Sequence, residues 1–515
     1  MNRAAGVILH PTSLPGGHGV GDLGAQAYAW VDFLAAAKQQ LWQVLPLGPT
    51  GYGDSPYQSF SAFAGNPNLI SLDKLVAEGL LQESDLENAP ANDGRVDYGA
   101  VISFKDGALR RASQMFQSVA GKQRSAFERF CKAQAYWLDD YALFMALKEA
   151  HEGQPWNTWE EPLRTRKKRA LGKFEEENAE AVLRHKVWQW VFYRQWLELK
   201  AYANAKNIKI VGDIPIFIAY DSADAWANPE LYYFDASGNP EVVAGVPPDY
   251  FSATGQRWGN PIYRWQKMQN RDFAWWVSRF RSSLDFYDLI RVDHFRGFES
   301  YWEIPADKPT AEEGRWVKGP GQALFDALKK ELGDLPIIAE DLGVITPEVE
   351  GLRDHNGLPG MKVLQFAFAG GGADPYLPHN YGENCVVYTG THDNDTTQGW
   401  FDKAPESERD FVRRYLATDD HAIVWEFVRL AYSSVARYAV VPLQDVLQLG
   451  SEARMNTPGE AGGNWGWRFS EGQLGSWLAP ALAEMAELYN RVPGAGAADT
   501  PYRQSVTETG VEEAT

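Results

Sequence analysis

The chain has 515 residues, 44% of them hydrophobic, and a formal net charge of −19 from 68 acidic and 49 basic side chains. That length is too great for one ordinary compact core. It fits a barrel of roughly 250 residues with large insertions, or two to three domains. The acidic balance argues against nucleic acid and anionic membranes, which need a basic footprint, and suits a neutral substrate.

In chain order, the N-terminal stretch carries a short apolar run at Gly6 (GVILHP) but lacks the apolar core of a secretory signal. Further apolar runs begin at Leu41, Lys209, Asp288, Pro336, Met361, Cys385 and Tyr438. Near-continuous Val/Ile/Leu runs suit parallel strands buried on both faces. Helical patterns lie between most of them: AYAWVDFLAAAKQQ after the first run, RDFAWWVSRFRSSL before the fourth, GQALFDALKKEL before the fifth. TPEVEGLRDH precedes the sixth, with Thr346 as N-cap and Pro347 at the first helical position. Two further helices, SERDFVRRYLA and AIVWEFVRLAYSSVARY, precede the eighth. Eight strands alternating with helices predict a (β/α)8 barrel, and the number of strands favours it over an open doubly wound sheet.

Two spacings exceed barrel loops. Residues 50–205 hold long helical patterns, and residues 218–270 are loop-like and aromatic. Both are expected to be subdomains inserted on the catalytic face of a single domain spanning 1–493, with 494–515 a frayed tail. No run approaches the roughly 18 apolar residues of a membrane span. The two cysteines, Cys131 and Cys385, lie far apart and outside any metal-spaced cluster. A reducing compartment and a cytoplasmic location are expected.

Four strands end in acids: Asp213 the third, Asp293 the fourth, Glu340 the fifth, and Asp393 just beyond the seventh. Burying an unpaired charge is costly, and barrel catalysis sits at strand C-termini, so a shared site explains these acids better than chance. Glycosidic cleavage needs this set. One carboxylate attacks, one carboxyl protonates the leaving group, and a third acid favours the positively charged transition state. Arg291 lies two residues before Asp293, on the same strand face, where it is expected to keep Asp293 ionised. Glu340 must instead cycle a proton. Simpler readings stand beside these: a buried Arg291–Asp293 ion pair, a core His294, Asp341 in place of Glu340, Asp395 in place of Asp393. A His/Asp metal site is disfavoured, because no His pair has ligand spacing on a helix. The aromatic content of 13%, with Trp 20 and Tyr 23, is compatible with stacking on sugar rings.

RVDHFRG, IIAEDLG and TGTHDND resemble the acid-bearing regions of the α-amylase clan. GVILHPTSLPG, GDLG, LPLGPTGYGDSPYQSFSAFAGNPNLI, GDIPIF, PPDYFSATGQRWGNPIYRW and EARMNTPG narrow the likeness to the 4-α-glucanotransferases, the amylomaltases of glycoside hydrolase family 77. The resemblance runs from about Gly6 to Arg468. It implies Asp293 as nucleophile, Glu340 as acid/base and Asp393 as transition-state stabiliser. It further implies that Arg291, His294 and His392 hold the first subsite, with Asp213 as the supporting acid. Ser55, Pro56 and Tyr57 would lie near donor-side subsites. Residues Pro247 to Trp258 would form a loop over the site, with Asp249 contacting substrate and Tyr250 and Phe251 forming an aromatic lid. Gln256, Trp258 and Asn464 are further candidates for glucan contact, while Trp465 and Trp467 suit core and binding roles equally.

The three acids do not choose between water and a sugar as the second acceptor. An aromatic lid that excludes water and orients an acceptor ring favours transfer over hydrolysis. The expected reaction moves part of an α-1,4-glucan onto the 4-hydroxyl of glucose or another glucan. Its expected partners are glucans, maltooligosaccharides and glucose. No cofactor or metal is expected, nor any nucleic-acid or membrane partner, and the oligomeric state is left open.

Overall fold

The computed structural model describes residues 3–92, 94–248, 252–460 and 462–492. Among the described residues twelve strands form, in chain order: β1 (Ala4–Ile8), β2 (Leu41–Gln43), β3 (Lys209–Pro215), β4 (Val242–Val246), β5 (Gln256–Pro261), β6 (Leu289–Asp293), β7 (Ser300–Pro305), β8 (Arg315–Lys318), β9 (Ile337–Ala339), β10 (Gly360–Val363), β11 (Cys385–Tyr388) and β12 (Tyr438–Pro442).

Eight of them build one parallel sheet in the order β10-β11-β12-β1-β2-β3-β6-β9, and these are the eight apolar runs read from the sequence. The sheet curls into a nearly closed barrel. At the remaining seam the Ala339 N–H donates to the Pro359 carbonyl at 2.9 Å. The Met361 N–H there donates to Asp341 Oδ1 at 2.7 Å. A carboxylate thus completes what a ladder hydrogen bond would otherwise do.

Strand side chains alternate between lumen and helix layer. Val211, Leu289, Ile338, Met361, Val386 and Val440 belong to one small apolar cluster that fills the lumen. Ile210, Ile290, Val292 and Val387 pack outward into the main core. By the same period of two, Asp213 shares the face of Val211, and Arg291 and Asp293 share the face of Leu289. The strands therefore send these polar groups into the lumen toward the C-terminal rim. Outward packing is close: a Cβ on Gly212 would lie 2.1 Å from the Tyr287 ring.

The helical patterns form helices at Ala25–Ala36, Ala274–Phe286, Gln322–Leu332, Pro347–His355, Glu406–Leu416 and Ile423–Ser433. Thr346 stands at the N-cap position with Pro347 after it, but its side chain makes no capping bond to the helix.

Between β2 and β3, long helices at Tyr98–Phe116, Lys122–Ala150 and Ala179–Ala205 pack together. Lys105, fully buried, pins the first of them to the segment after β2, donating to the Asn68 and Ile70 carbonyls at 2.7 and 3.0 Å, with Asp22 of the connection after β1 3.6 Å away. The last also packs against β3 and against Ala25–Ala36 and Ala274–Phe286, so it takes a place in the ring of barrel helices.

Residues 218–270 differ from the loop-like expectation. They supply β4 and β5, which join β7 and β8 in an antiparallel sheet ordered β5-β4-β7-β8. The register shifts between Val243 and Gly245, where a Cβ on Gly245 would meet the Gln256 carbonyl at 2.2 Å. Gly and Pro inside these short strands hide them from pattern reading, and cross-strand pairing supplies their stability. The expected tail at 494–515 lies outside the described residues.

Candidate active site

A cleft of about 970 Å³ opens at the C-terminal rim of the barrel. Ser55, Tyr57, Gln256, Trp258, Arg291, Asp293, His294, Glu340, His392, Asp393 and Asn464 all line it. Eleven residues named from sequence thus meet in one cleft. Asp249, Tyr250 and Phe251 lie outside the described residues.

Asp293 ends β6 with its side chain 28% exposed. Arg291 Nη2 reaches Asp293 Oδ1 at 3.0 Å, and Arg291 Nη1 reaches Asp213 Oδ2 at 2.6 Å. Asp213 is fully buried and does not line the cleft. It sits below, accepting from Arg291 and from the Tyr57 hydroxyl at 2.8 Å. Asp213 therefore supports two cleft residues from below and is not itself in the cleft wall. Tyr57 also stacks on His392, with ring centroids 5.2 Å apart and planes 12° apart.

Glu340 follows β9. Immediately after β6, His294 adopts a left-handed backbone with φ of 53°, uncommon for a residue other than glycine. This turn aims its N–H at Glu340 Oε2, 2.6 Å away. The Leu342 N–H donates to Oε1 at 2.8 Å. The Phe295 N–H holds the Glu340 carbonyl at 3.0 Å, and the Glu340 N–H holds that of Val292 at 3.1 Å. The ends of β6 and β9 are clamped together, fixing two acids relative to each other. The neighbouring Asp341 instead braces the barrel seam and pairs with Arg353.

Asp393 is 42% exposed. Asn456 Nδ2 donates to its Oδ1 at 2.6 Å, Arg454 Nη2 donates to its backbone carbonyl at 2.7 Å, and His392 Nε2 lies 3.3 Å from Oδ2. Asp395 bonds Lys403 and Ser451, both at 2.7 Å, and does not reach the cleft. Asn456 and Arg454 were not singled out from the sequence. Their motif, EARMNTPG, carries no strand position, so only the folded contact reveals them.

Burial dominates the electrostatics. It pushes Asp293 up to about 8 against the pull of Arg291, with repulsion from Asp213, Glu340 and Asp393 added. Arg291, expected to keep Asp293 ionised, acts here against desolvation, which is the larger effect. Burial also raises Glu340, opposed by Arg291 and by the two backbone N–H groups. Two neighbouring acids both held up share a proton at neutral pH. Arg291 bonds Asp293 directly, which biases that proton toward Glu340. Burial lowers His294 to about 3 and also lowers His392, so both are neutral rings.

Aromatic groups frame the cleft. Trp258 meets His294 edge to face at 4.8 Å and donates to Gln256 Oε1 at 3.1 Å. Trp465 lines the cleft beside Tyr57 and His392. Trp467, expected to suit either role, is buried and does not line it. The Asn464 amide closes its own loop, accepting from the Thr457 N–H at 2.9 Å and donating to the Glu460 carbonyl at 2.8 Å.

The chain is similar to known proteins along nearly its whole length. The sequence model of the family described as 4-alpha-glucanotransferase matches residues 9–474. A 4-alpha-glucanotransferase of Thermus thermophilus is 55% identical over 96% of this chain and 100% of its own length. One from Synechocystis is 52% identical over 95% of this chain and 98% of its own length. Among solved structures, amylomaltase from Streptococcus agalactiae in complex with acarbose superposes with a TM-score of 0.93 at 41% identity, covering 95% of this chain and 100% of that one.

Proposed function

The chain belongs to the 4-α-glucanotransferases of glycoside hydrolase family 77, and from that premise we propose that Asp293, Glu340 and Asp393 carry its chemistry by double displacement. It is a glucan-transferring enzyme, a 4-α-glucanotransferase. The observation that carries the assignment of roles is the clamp between β6 and β9. It sets Asp293, bonded by Arg291, beside Glu340, whose raised proton affinity suits an acid.

In the first half, the Glu340 carboxyl gives its proton to the glycosidic oxygen, and the C1–O bond breaks. An Asp293 carboxylate oxygen bonds C1, forming a glucosyl ester of inverted configuration, and the shortened glucan leaves with a free 4-hydroxyl. In the second half, the 4-hydroxyl of a glucose or glucan acceptor attacks C1 and loses its proton to Glu340. The ester bond breaks, Asp293 regains its charge, and the α configuration is restored. Asp393, held by Asn456, sits where its charge favours the oxocarbenium-like transition state and can accept from sugar hydroxyls. His294 Nε2 is buried without a partner among the described residues, which suits a contact to a substrate hydroxyl.

The α-1,4-glucan substrate and the glucose acceptor are part of this reading, as is the aromatic lid of Tyr250 and Phe251 with Asp249. The support for that lid is the sequence motif, which runs on to Trp258 in the cleft wall, and the need to exclude water in favour of a sugar. No described helix is long and apolar enough to cross a membrane. We place the enzyme in the cytoplasm on the basis of its free cysteines Cys131 and Cys385. The direct test is incubation with maltotriose. Longer and shorter oligomers together support transfer, while glucose and maltose alone would indicate hydrolysis.

A further inference from the structure

A second cavity, of about 280 Å³, lies outside the cleft, between the long helix Lys122–Ala150, the short helix Ala223–Ala227 and the barrel helix Ala274–Phe286. Its volume falls just below the roughly 300 Å³ at which pockets begin to hold drug-sized ligands. It therefore suits one sugar ring better than an oligosaccharide.

The walls are aromatic. Tyr136, 54% exposed, and Trp275 both stand nearly perpendicular to Phe63, at interplanar angles of 88° and 84°, and Trp137 stacks behind Phe63 at 12°. Upright rings give flat apolar faces to the C–H face of a pyranose, and the exposed Tyr136 marks the entrance.

The polar groups are few. Asp224 is 5% exposed, and its Oδ2 accepts the Ala62 N–H at 2.7 Å. The Trp275 side chain and the Asp224 N–H also approach this carboxylate, and with about four lone-pair sites it retains room to accept from a ligand hydroxyl. Asn228 adds an amide at the wall. The remaining charges are already paired: Asp140 with Arg166 at 2.5 Å and Arg271 with Glu230 at 2.8 Å. Arg279 offsets the Asp224 charge. A balanced pocket does not call for an ionic ligand. Aromatic faces and a carboxyl acceptor in so small a space are the means by which neutral polyols are held.

We propose that this pocket is a second sugar site, binding one glucosyl unit, either free glucose or the end of a glucan chain, separately from the catalytic cleft. The choice of a glucosyl unit rests on the proposed α-glucan substrate. The pocket's place fits such a role, since Ser61 and Phe63 in its wall also line a small chamber shared with Tyr57 and Asp213.

The test uses the full chain carrying Asp293→Asn, so that no turnover occurs, labelled with 5-fluorotryptophan. The ¹⁹F resonances of Trp275 and Trp258 are assigned from W275F and W258F. Trp275 reports the pocket and Trp258 the cleft, so failure of one reading is distinguishable from failure of the other. Glucose and maltoheptaose are titrated separately. A response to glucose alone identifies a free-sugar site, and a response to maltoheptaose identifies a chain-end site. The expected result is a saturable Trp275 shift with a midpoint different from that of Trp258, weakened at least ~10-fold by Tyr136→Ala while the Trp258 response persists. An unmoved Trp275 would overturn the proposal. So would a Trp275 shift that follows the Trp258 curve and survives Tyr136→Ala, or one produced by choline and not by either sugar.

Discussion

Arg291 bonds Asp293 at 3.0 Å with one guanidinium nitrogen while its other is held 2.6 Å from the buried Asp213. The fork is fixed from below and presents its free edge to Asp293. A lysine carries the same charge on a single nitrogen and cannot span both acids. Arg291→Lys is expected to lower kcat for maltotriose disproportionation by at least ~100-fold, the scale of losing one preorganised charge contact, with little change in KM. Steady-state kinetics check this.

Tyr57→Phe removes the 2.8 Å bond to Asp213 but keeps the ring that stacks on His392. Hydrogen bonds to charged buried groups contribute about 2 kcal/mol. Urea unfolding of the variant should show a loss of that order, and kcat should fall as Arg291 loses its fixed counterpart.

Asp293→Asn is expected to abolish transfer and to stabilise the fold. Burial and mutual repulsion hold the proton affinity of the Asp293–Glu340 pair above the ordinary carboxylate range. Between about 4 and about 8 the folded pair keeps a proton, biased toward Glu340 by the Arg291–Asp293 bond, that the unfolded chain has lost. Stability therefore falls as pH rises through that window. Asparagine lacks this slope. The melting temperature of the variant relative to the wild type should be more favourable at pH 8 than at pH 5, as thermal denaturation at both values will show.

Asn456→Ala frees the Asp393 carboxylate from its 2.6 Å donor. A charged hydrogen bond of this kind corresponds to about 10- to 100-fold, and kcat should fall within that range. Asn456→Asp should not rescue it, because like charge would then face Asp393. Comparing kcat for the two variants distinguishes a positioning donor from a merely polar wall.

The barrel was legible because its strands are buried on both faces and therefore read as unbroken apolar runs. The acids were legible because Asp293 and Glu340 are charges at positions where strands otherwise avoid them. The sheet of β4, β5, β7 and β8 was not legible, since QRWGNP and VVAGV owe their conformation to partners across the sheet. Asn456 and Arg454 escaped notice because their bonds to Asp393 span 63 and 61 residues of sequence. The desolvation of Asp293 was not legible, because a neighbouring arginine is visible in sequence and the depth of burial is not.

The proposed double displacement requires that Asp293 become covalently bonded to the sugar. Glu340→Gln slows departure of the intermediate, and an α-maltosyl fluoride supplies a leaving group that needs no acid. Peptide mass spectrometry after rapid acid quench should then find a maltosyl adduct on the peptide containing Asp293. An adduct on the Asp393 peptide or on the peptide carrying Glu340→Gln, or turnover with inversion and no adduct, would rule out Asp293 as the nucleophile.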